Sequence, residues 1–474
     1  KNSFYSMSSS RVRDKEFLLK QLGTQNYERL FELVAVLRRR ETAGSYKVAR
    51  STAEFYRTLI SSVHWKTPEE AISMIHLLGI ILTQAQPIEL CAGNITRRVL
   101  FFVRDAYAQH KRVQENSSLL FTSHQPVKLE SNVEFRKLKA GVLEGINDLL
   151  EELDGLYQTI SNQALEHIHS NEIIMTYGRS NTVIRFLKAA GRKRNYHVVV
   201  PESAPWFKGK QTAQELAAAG IDTTLISDSS IFSMMSRVNK VIVGTNAVLA
   251  NGGLLASSGV RMLAEAAKHY SVPFVVISGM YKLSPVYPSG KDVFNDMASP
   301  STIISFAELD KICKDNPHGV DVLNPSLDYI PPETVSLYLT NFGVHNPSYI
   351  YRLLAEYYNL TDYTFSSKYD EDLMLLKDIM DLPAVEAVAA LDCFLESNPS
   401  FDINQSIDED NTLLEMAADR NRIEFAKYLL ERKEIDPNKG IALEIACENE
   451  NAEIAKLLIK HPKTLIDELV SQEY

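Results

Sequence analysis

The chain has 474 residues, of which 45% are hydrophobic and 23% are charged. This length suggests about three domains of ~150 residues each, and the composition excludes disordered, collagen-like and disulfide-scaffold chains. The formal net charge of −10 is unevenly divided, because residues 366–474 carry 25 acidic and 11 basic side chains, a net of −14 that leaves +4 for the preceding residues. The sequence predicts a slightly basic body with an acidic extension, and neither part has the charge of a nucleic-acid-binding protein.

The four cysteines lie far apart, with no C-x-x-C pair and no neighbouring histidine, so they indicate neither a metal site nor a disulfide framework. They are Cys91, Cys313, Cys393 and Cys447. The most apolar stretch, residues 71–82, is shorter than the ~18 residues that a membrane span requires, and the first residues lack the apolar core of a secretory signal. We therefore expect a cytoplasmic protein that has no membrane contact and binds no metal.

From residue 14 to about residue 170, apolar residues recur at three- and four-residue spacing, which predicts amphipathic helices. One of these helices has a clear start, because Thr67 and Glu70 form a Thr-x-x-Glu capping box around Pro68. No strand pattern interrupts this region. We predict a helical N-terminal domain over residues 1–170.

From residue 171 the pattern changes to short apolar runs that alternate with helical stretches. The predicted strands cover residues 173–176, 197–200, 223–226, 241–244 and 274–278. The predicted helices between them cover residues 182–190, 211–219, 231–236 and 261–270. These strands are near-continuous apolar runs, which indicates that both faces are covered, so we predict an α/β domain with a doubly wound, parallel, Rossmann-like sheet. This domain is assigned to residues 171–366, and we expect further helices after Pro331–Pro332 and after Pro347.

Residues 367–474 are predicted to be helical again, with an internal repeat. Residues 423–430 parallel residues 452–459, at a spacing of about 29 residues. Helix pairs at this period resemble ankyrin repeats, although the Thr-Pro-Leu-His of that family is present only as Thr412-Leu413-Leu414-Glu415. We predict an all-α, acidic, ankyrin-like extension with an unknown partner, and a plain helical hairpin is the alternative.

Two loops are candidates for a ligand site, because ligands of open parallel sheets bind at the carboxyl ends of the strands. One loop follows the first predicted strand and opens a helix, where backbone N–H groups can bind an anion. The other loop follows the fourth predicted strand. Tight turns that use glycine for steric reasons are the alternative interpretation. The candidate pocket residues are Gly178, Ser180, Asn246, Asn251, Gly252 and Gly253.

Several longer motifs occur in a specific order along the chain. They are residues 163–172 (QALEHIHSNE), 235–241 (MSRVNKV), 251–253 (NGG), 280–285 (MYKLSP) and 346–352 (NPSYIYR). Over residues 15–365 the chain resembles the beta subunits of eukaryotic translation initiation factor 2B, the guanine nucleotide exchange factor for initiation factor 2. The resemblance implies a non-catalytic regulatory subunit that pairs with a delta subunit, joins gamma and epsilon subunits, and helps bind the alpha subunit of initiation factor 2.

Sugar-phosphate isomerases share this fold, and the resemblance implies that they carry a cysteine in the first loop and an aspartate in the second. Here Gly178 and Asn246 stand at those positions. Isomerisation requires a group that gives and takes a proton, and neither residue is suited to that. We therefore predict a vestigial pocket, no catalytic residue and no cofactor. Two alternatives stay open: a sensor or isomerase for a sugar phosphate or nucleotide, and a stand-alone mimic that diverts initiation factor 2.

Two groups of residues are candidates for the subunit interface. Asn171 and His197 are expected at the face that pairs with another subunit. Tyr349, Tyr351 and Arg352 begin the helix after Pro347 and are of types enriched in interfaces, although this segment also fits the cap of a core helix. A short basic cluster at residues 192–194 fits either a solvated helix end or a site for a charged partner.

Overall fold

The structure, a computed structural model, describes residues 22–40, 44–63, 65, 67–120, 131–288, 295–314, 320–365, 376, 379–380, 382–397, 403–404, 406–408, 411–432, 435–438, 441–449, 451–462 and 464. It divides the chain into two compact units, Lys1–Phe365 and Ser366–Tyr474. The predicted boundary residue 366 and the predicted helical start at residue 14 lie outside the described residues. Among the described helices, none is long and apolar enough to cross a membrane.

The first part of unit Lys1–Phe365 is helical, as predicted. Its helices are α1 (Thr24–Arg38), α2 (Ser45–Ser62), α3 (Pro68–Ala85), α4 (Leu90–Leu120), α5 (Ser131–Asn162) and α6 (Ala164–His167). The predicted start of α3 is confirmed, because the Thr67 hydroxyl accepts a hydrogen bond from the backbone N–H of Glu70 at 3.3 Å.

The following residues alternate strands and helices. The strands are β1 (Ile173–Met175), β2 (His197–Pro201), β3 (Asp222–Ile226), β4 (Lys240–Gly244), β5 (Ala247–Val248), β6 (Leu254–Ser257), β7 (Phe274–Ile277), β8 (Leu327–Ile330), β9 (Leu337–Thr340) and β10 (Gly343–His345). The helices are α7 (Asn181–Gly191), α8 (Lys208–Ala217), α9 (Ile231–Met235), α10 (Val260–His269), α11 (Phe306–Lys314) and α12 (Ile350–Tyr357). All five predicted strands and the four helices between them are confirmed.

Seven strands form one sheet in the order β10-β9-β7-β4-β1-β2-β3. Every neighbouring pair is parallel except β10 with β9. Strands β5, β6 and β8 form a small antiparallel sheet beside it. The result is the predicted parallel α/β architecture, extended by strands that the sequence patterns did not indicate.

The central strands of the sheet are buried on both faces. Ile174 and Val198 belong to a core that also contains Leu30 and most of the buried apolar residues of the N-terminal helices, whereas Met175 and Val199 belong to a second core on the opposite face. Alternate residues of a strand point to opposite faces, which explains why these strands are apolar throughout. Because the helical region and the sheet share one core, their separation into domains 1–170 and 171–366 stays a prediction.

The expected helix after Pro331–Pro332 was wrong. The chain makes a single 3₁₀ turn at Pro332–Thr334 and then forms strand β9, in which Tyr338 and Leu339 are fully buried. Pairing of β9 with β7 and β10 outweighs the local signal of a proline at a helix start. The expected helix after Pro347 is confirmed as α12.

Unit Ser366–Tyr474 contains helices α13 (Ala384–Ser397), α14 (Leu413–Asp419), α15 (Ile423–Glu431), α16 (Ala442–Glu448) and α17 (Ala452–Lys460), with a short strand pair β11 (Ser406–Asp408) and β12 (Asn411–Thr412). The Thr412 hydroxyl accepts from the Glu415 backbone N–H at 3.3 Å, and a Glu415 carboxylate oxygen accepts from the Thr412 N–H at 2.6 Å. The other Glu415 oxygen accepts from the Ile441 N–H at 2.7 Å. Glu415 therefore caps α14 and ties it to the next repeat.

Candidate functional site

The two candidate loops lie side by side at the carboxyl edge of the sheet. After β1 the chain proceeds to β2 and β3 on one side, and it then returns to β4 on the other side of β1. The loops that follow β1 and β4 therefore diverge from two adjacent parallel strands. This is the switch point at which open α/β sheets form their ligand crevice.

The loop after β1 requires a glycine for its backbone conformation. Gly178 has φ +65°, while a Cβ atom there would meet no heavy atom within 4 Å. Its N–H donates to the Ser203 hydroxyl at 2.9 Å, and its carbonyl accepts from the Thr212 hydroxyl at 2.7 Å. Ser180 then caps α7 by accepting from the Val183 N–H at 3.5 Å. The loop is thus fixed from both sides before the helix begins.

The loop after β4 approaches the first loop closely. A Cβ atom on Gly244 would lie 2.5 Å from the Ser180 hydroxyl oxygen, so the close approach requires a glycine there. The Asn246 N–H donates to the Leu255 carbonyl at 2.8 Å, and the Thr245 hydroxyl lies 2.7 Å from the same oxygen. These bonds hold the backbone and leave the Asn246 side chain exposed at the crevice.

Two adjoining cavities, of about 330 Å³ and 570 Å³, occupy this crevice. Gly178 lines the first cavity, Ser180 lines the second, and Asn246 lines both. The structure therefore brings three of the predicted pocket residues together. Further residues that line both cavities are Gly44, Glu89, Tyr177, Trp206, Lys208 and Ser257.

The sequence patterns did not indicate two charged groups at this crevice. The Lys282 amine donates to the Thr245 carbonyl, and its burial lowers its pKa below the ordinary value. A Glu89 carboxylate oxygen accepts from the Ser45 hydroxyl at 3.1 Å, and the other accepts from the Cys91 N–H at 3.3 Å. Lys282 follows β7, so the rule of carboxyl strand ends could have found it, whereas Glu89 belongs to the helical region and had no such signal.

The other three predicted pocket residues lie elsewhere, in the turn between β5 and β6. The Asn251 amide donates to the Tyr329 hydroxyl at 2.7 Å, and its side-chain oxygen accepts from the Gly253 N–H at 3.0 Å. Gly252 has φ +80°, and a Cβ atom there would lie 2.5 Å from the Pro347 carbonyl oxygen. These contacts give the three residues a structural role in packing the turn against its neighbours.

Asn171 and His197 lie at the opposite, amino edge of the sheet. Asn171 precedes β1 in a left-handed conformation, with φ +65°, and its N–H donates to the Asn195 carbonyl at 2.8 Å. His197 begins β2, and its Nε2 lies 2.9 Å from the Thr224 hydroxyl. The structure therefore separates these two residues from the crevice and places them on adjacent strands.

Tyr349, Tyr351 and Arg352 lie where α12 begins, near the β10 edge of the sheet. The Tyr349 ring stacks on His345 of β10 with centroids 5.5 Å apart, and Arg352 forms an ion pair with Glu356 at 2.9 Å. Tyr351 is 65% exposed. Large apolar side chains are also exposed at this edge, at Phe342 and Val344. Four strand spacings, roughly 19 Å, separate β10 from β1.

In the described part of the chain, no group of three His, Cys, Asp or Glu residues is placed to hold a metal ion. Glu89 and Lys282 at the crevice are engaged in hydrogen bonds to hydroxyl and backbone groups, and Arg179 forms an ion pair with Glu215 at 2.8 Å. Chemically, the crevice offers polar contacts and the cationic groups of Arg179, Lys208 and Lys282, while the two strand-end positions themselves offer a glycine and an amide.

Comparison with known proteins matches residues 41–347 to the initiation factor 2 subunit family. It matches residues 384–467 to ankyrin repeats in three copies. A curated relative, the translation initiation factor eIF2B subunit beta of Dictyostelium discoideum, is 43% identical over 369 residues, which cover 69% of this chain and 94% of the relative. The resemblance inferred from the motifs and the ankyrin-like character of the extension are both confirmed.

Solved structures agree with these matches. The eIF2B beta structure from Chaetomium thermophilum has a TM-score of 0.57 and 27% identity, and the match covers 75% of this chain and 98% of that one. A chain of the tetrameric eIF2B-beta2-delta2 complex from the same organism has a TM-score of 0.52 and 28% identity, covering 69% and 94% of the two chains. A more distant relative, ribose 1,5-bisphosphate isomerase of Pyrococcus furiosus, is 25% identical over 71% of this chain and 96% of its own length.

Proposed function

Because the chain belongs to the initiation factor 2 subunit family, we propose that it is a regulatory, non-catalytic subunit of the factor 2B exchange complex. The observation that carries this proposal is the likeness to a beta subunit along almost the whole length of that relative. The cytoplasmic location expected from the sequence stays a prediction.

The residues at the crevice support a non-catalytic role. Gly178 and Asn246 occupy the ends of β1 and β4, where neither a hydrogen atom nor an amide side chain can shuttle a proton. The Lys282 amine and the Glu89 carboxylate are held by backbone and hydroxyl partners, which is typical of structural groups. In this proposal the crevice is a vestige of an enzyme-like ancestor and carries no reaction.

The subunit's function would then be binding. We propose that it pairs with a delta subunit, by analogy with the Chaetomium tetramer of two beta and two delta chains, and that it joins gamma and epsilon subunits in the larger complex. The assembled surface would bind the alpha subunit of initiation factor 2. A phosphate added to that partner carries about −1.5 to −2 charges, so a charged surface can distinguish its two forms.

Two surfaces support the pairing proposal. Strand β10 lies at the edge of the sheet and exposes Val344, and Tyr351 is exposed at the start of α12. An edge strand with apolar side chains beside it favours association. Asn171 and His197 form the second surface, at the amino ends of β1 and β2. An interface of the usual size, roughly 800 Å² on each partner, is wide enough to include both.

The test measures the affinity of the chain for a purified delta subunit by titration, with light scattering to determine the mass of the complex. We expect the double variant Val344→Asp and Tyr351→Asp to weaken association about tenfold or more, because it places two carboxylates in an apolar interface. The matched control is Met262→Asp, which changes a similarly exposed side chain on α10. Unchanged association of the double variant, with Asn171→Asp and His197→Asp also without effect, would show that the pairing face lies elsewhere.

A sensor or isomerase for a phosphorylated ligand is the second candidate function. The 570 Å³ cavity favours it, since Arg179, Lys208 and Lys282 line that cavity and could attract an anion. The discriminating assay incubates the purified chain with ribose 1,5-bisphosphate. We expect no turnover. Turnover that is lost in Asn246→Ala would replace the regulatory proposal with an enzymatic one.

A further inference from the structure

Another open groove lies between α5 and α7 in unit Lys1–Phe365, and it shares only Tyr157 with the lining of the crevice. It has a volume of about 830 Å³. Its lining comes from two helices that run beside each other and from the turn after α7. The residues on α5 and just beyond it are Asp154, Tyr157, Gln158, Ser161, Asn162 and Leu165, and those on α7 and its following turn are Arg185, Lys188, Ala189, Arg192 and Lys193.

The α7 side of this groove is strongly basic. Arg185, Lys188, Arg192 and Lys193 are spaced three, four and one residues apart, so the first three form a stripe along one face of the helix. Within the part of the chain that the structure describes, none of the four forms an ion pair. The positive charges of the groove are therefore uncompensated by the protein itself.

The one carboxylate that lines the groove does not neutralise this charge. Asp154 forms an ion pair with Arg50 and accepts a hydrogen bond from the Tyr46 hydroxyl at 3.0 Å. Asp154 is thus engaged with Arg50, which also pairs with Glu54 at 3.1 Å, and among the described residues it forms no ion pair with the four cations. An anionic ligand would replace water around four cations without competing with an internal acid.

The remaining lining gives the groove an apolar floor and a polar second wall. Leu165 and Ala189 are half-buried, and they present apolar surface between the helices. On α5, the Gln158 amide donates to the Asn162 side-chain oxygen at 2.7 Å, which leaves further amide donors and acceptors exposed. Apolar floor, amide wall and basic wall together suit a polypeptide better than a small inorganic anion.

The aromatic group in the groove argues against single-stranded nucleic acid. Such ligands stack their bases on free aromatic faces. The Arg185 guanidinium lies over the Tyr157 ring, 4.2 Å from its centroid, and the Tyr46 ring lies beside it, tilted by 45° with the centroids 5.4 Å apart. The face of Tyr157 under Arg185 is therefore closed to a base, so an acidic peptide fits the groove better.

We propose that the groove between α5 and α7 binds an acidic peptide segment of a partner protein, with carboxylates on the four cations and apolar side chains on Leu165 and Ala189. The basic cluster at residues 192–194 is then part of a partner site rather than a solvated helix end. This inference does not depend on the subunit function proposed above. Because the whole chain has a net charge of −10, binding of an acidic peptide requires a local basic site and does not follow from overall attraction.

The experiment uses the full chain and a fluorescent peptide of three Glu-Leu-Asp-Phe repeats, with fluorescence anisotropy at low and moderate salt. We expect saturable, salt-sensitive binding, and at least about tenfold weaker binding for the triple variant Lys188→Glu, Arg192→Glu and Lys193→Glu, because charge reversal makes the groove repel carboxylates. Replacing Lys188 and Lys193 by arginine should retain binding. Circular dichroism and urea unfolding establish that each variant is folded.

The matched control reverses three exposed cations elsewhere, Arg57, Arg237 and Lys268, each to glutamate, which gives the same net charge. This variant should bind the peptide like the original chain. The proposal is overturned if both triple variants lose binding equally, if the groove variant binds normally, or if the peptide does not bind at all. It is also overturned if oligouridylate of equal length displaces the peptide more effectively than the unlabelled peptide does.

Discussion

The contacts inside each of the two units differ greatly in their separation along the sequence. In unit Lys1–Phe365, His76 lies 2.9 Å from the Asp362 carboxylate, 286 residues further along the chain. In unit Ser366–Tyr474, the Asp436 N–H donates to Asn404 across 32 residues and the Asn451 amide donates to Ala418 across 33. The first unit thus contains contacts between residues far apart in the sequence, whereas the contacts between repeats in the second unit join residues about one repeat apart.

This difference has an energetic consequence. Repeat proteins are stabilised by each repeat and its interface with the next one, so that damage to one contact stays local. In unit Lys1–Phe365, β1 pairs with both β2 and β4, and Asp362 near the end of the unit contacts Arg104 of the N-terminal helices. This unit should therefore unfold as one cooperative body. Substitutions in each unit can test whether the first unit unfolds cooperatively and whether the second unfolds locally.

The largest expected effect follows from the substitution Asp362→Asn. Asp362 is fully buried and accepts hydrogen bonds from Arg104 at 2.7 and 2.8 Å and from His76. Removing the charge leaves Arg104 without its ionic partner inside the protein, and we expect the free energy of unfolding of the first unit to fall by about 3 kcal/mol. Urea unfolding at neutral pH measures this free energy for the original chain and the variant. Asp105→Asn, an exposed neighbour of Arg104, should have almost no effect.

The same carboxylate predicts a pH dependence. Burial raises the pKa of Asp362, but the hydrogen bonds from His76 and Arg104 outweigh burial, so that its pKa lies below the ordinary value. A group with a lowered folded-state pKa stabilises the fold above its unfolded pKa and loses that contribution as the pH falls through the folded pKa. The difference between the original chain and Asp362→Asn should therefore shrink below about pH 4. A difference that persists at lower pH would contradict an ionic role.

The substitution Glu415→Ala should have a smaller and strictly local effect. It removes the acceptor of the buried Thr412 N–H and of the part-buried Ile441 N–H, which should cost about 2 kcal/mol. We expect this loss in unfolding of the second unit only, measured by hydrogen exchange of residues in α14–α17. The control is Glu424→Ala, an exposed residue on α15. Equal loss of protection in the β-sheet would contradict the local behaviour.

Truncation after Phe365 should have the smallest effect on the first unit. The remaining chain has its own cores, and its net charge changes from −10 to +4. We expect a soluble protein whose urea midpoint agrees with that of the corresponding transition in the full chain. Aggregation, or a clear shift of the midpoint, would show that the extension contributes to the stability of the body.

The strands and repeats were predictable because their signals are local. Strands such as His197–Pro201 contain a continuous apolar run, and the repeat recurs with a period that is visible in a single sequence. Strand β9 was missed because its pairing with β7 outweighs a proline signal for a helix. Gly178, Ser180 and Asn246 could be assigned to one crevice from the order of the strands alone. The position of Glu89 at the crevice and the pairing of Asp362 with Arg104 depend on contacts between residues far apart in the sequence, which hydrophobic periodicity does not predict.

The central claim, that this chain is a regulatory subunit of a factor 2B complex, is tested most directly by native mass spectrometry of the tagged full chain isolated from its own cells. We predict an assembly whose mass requires a delta subunit together with gamma and epsilon subunits. A chain that is isolated alone, or bound to initiation factor 2 with none of these subunits, would contradict the account and favour a stand-alone mimic.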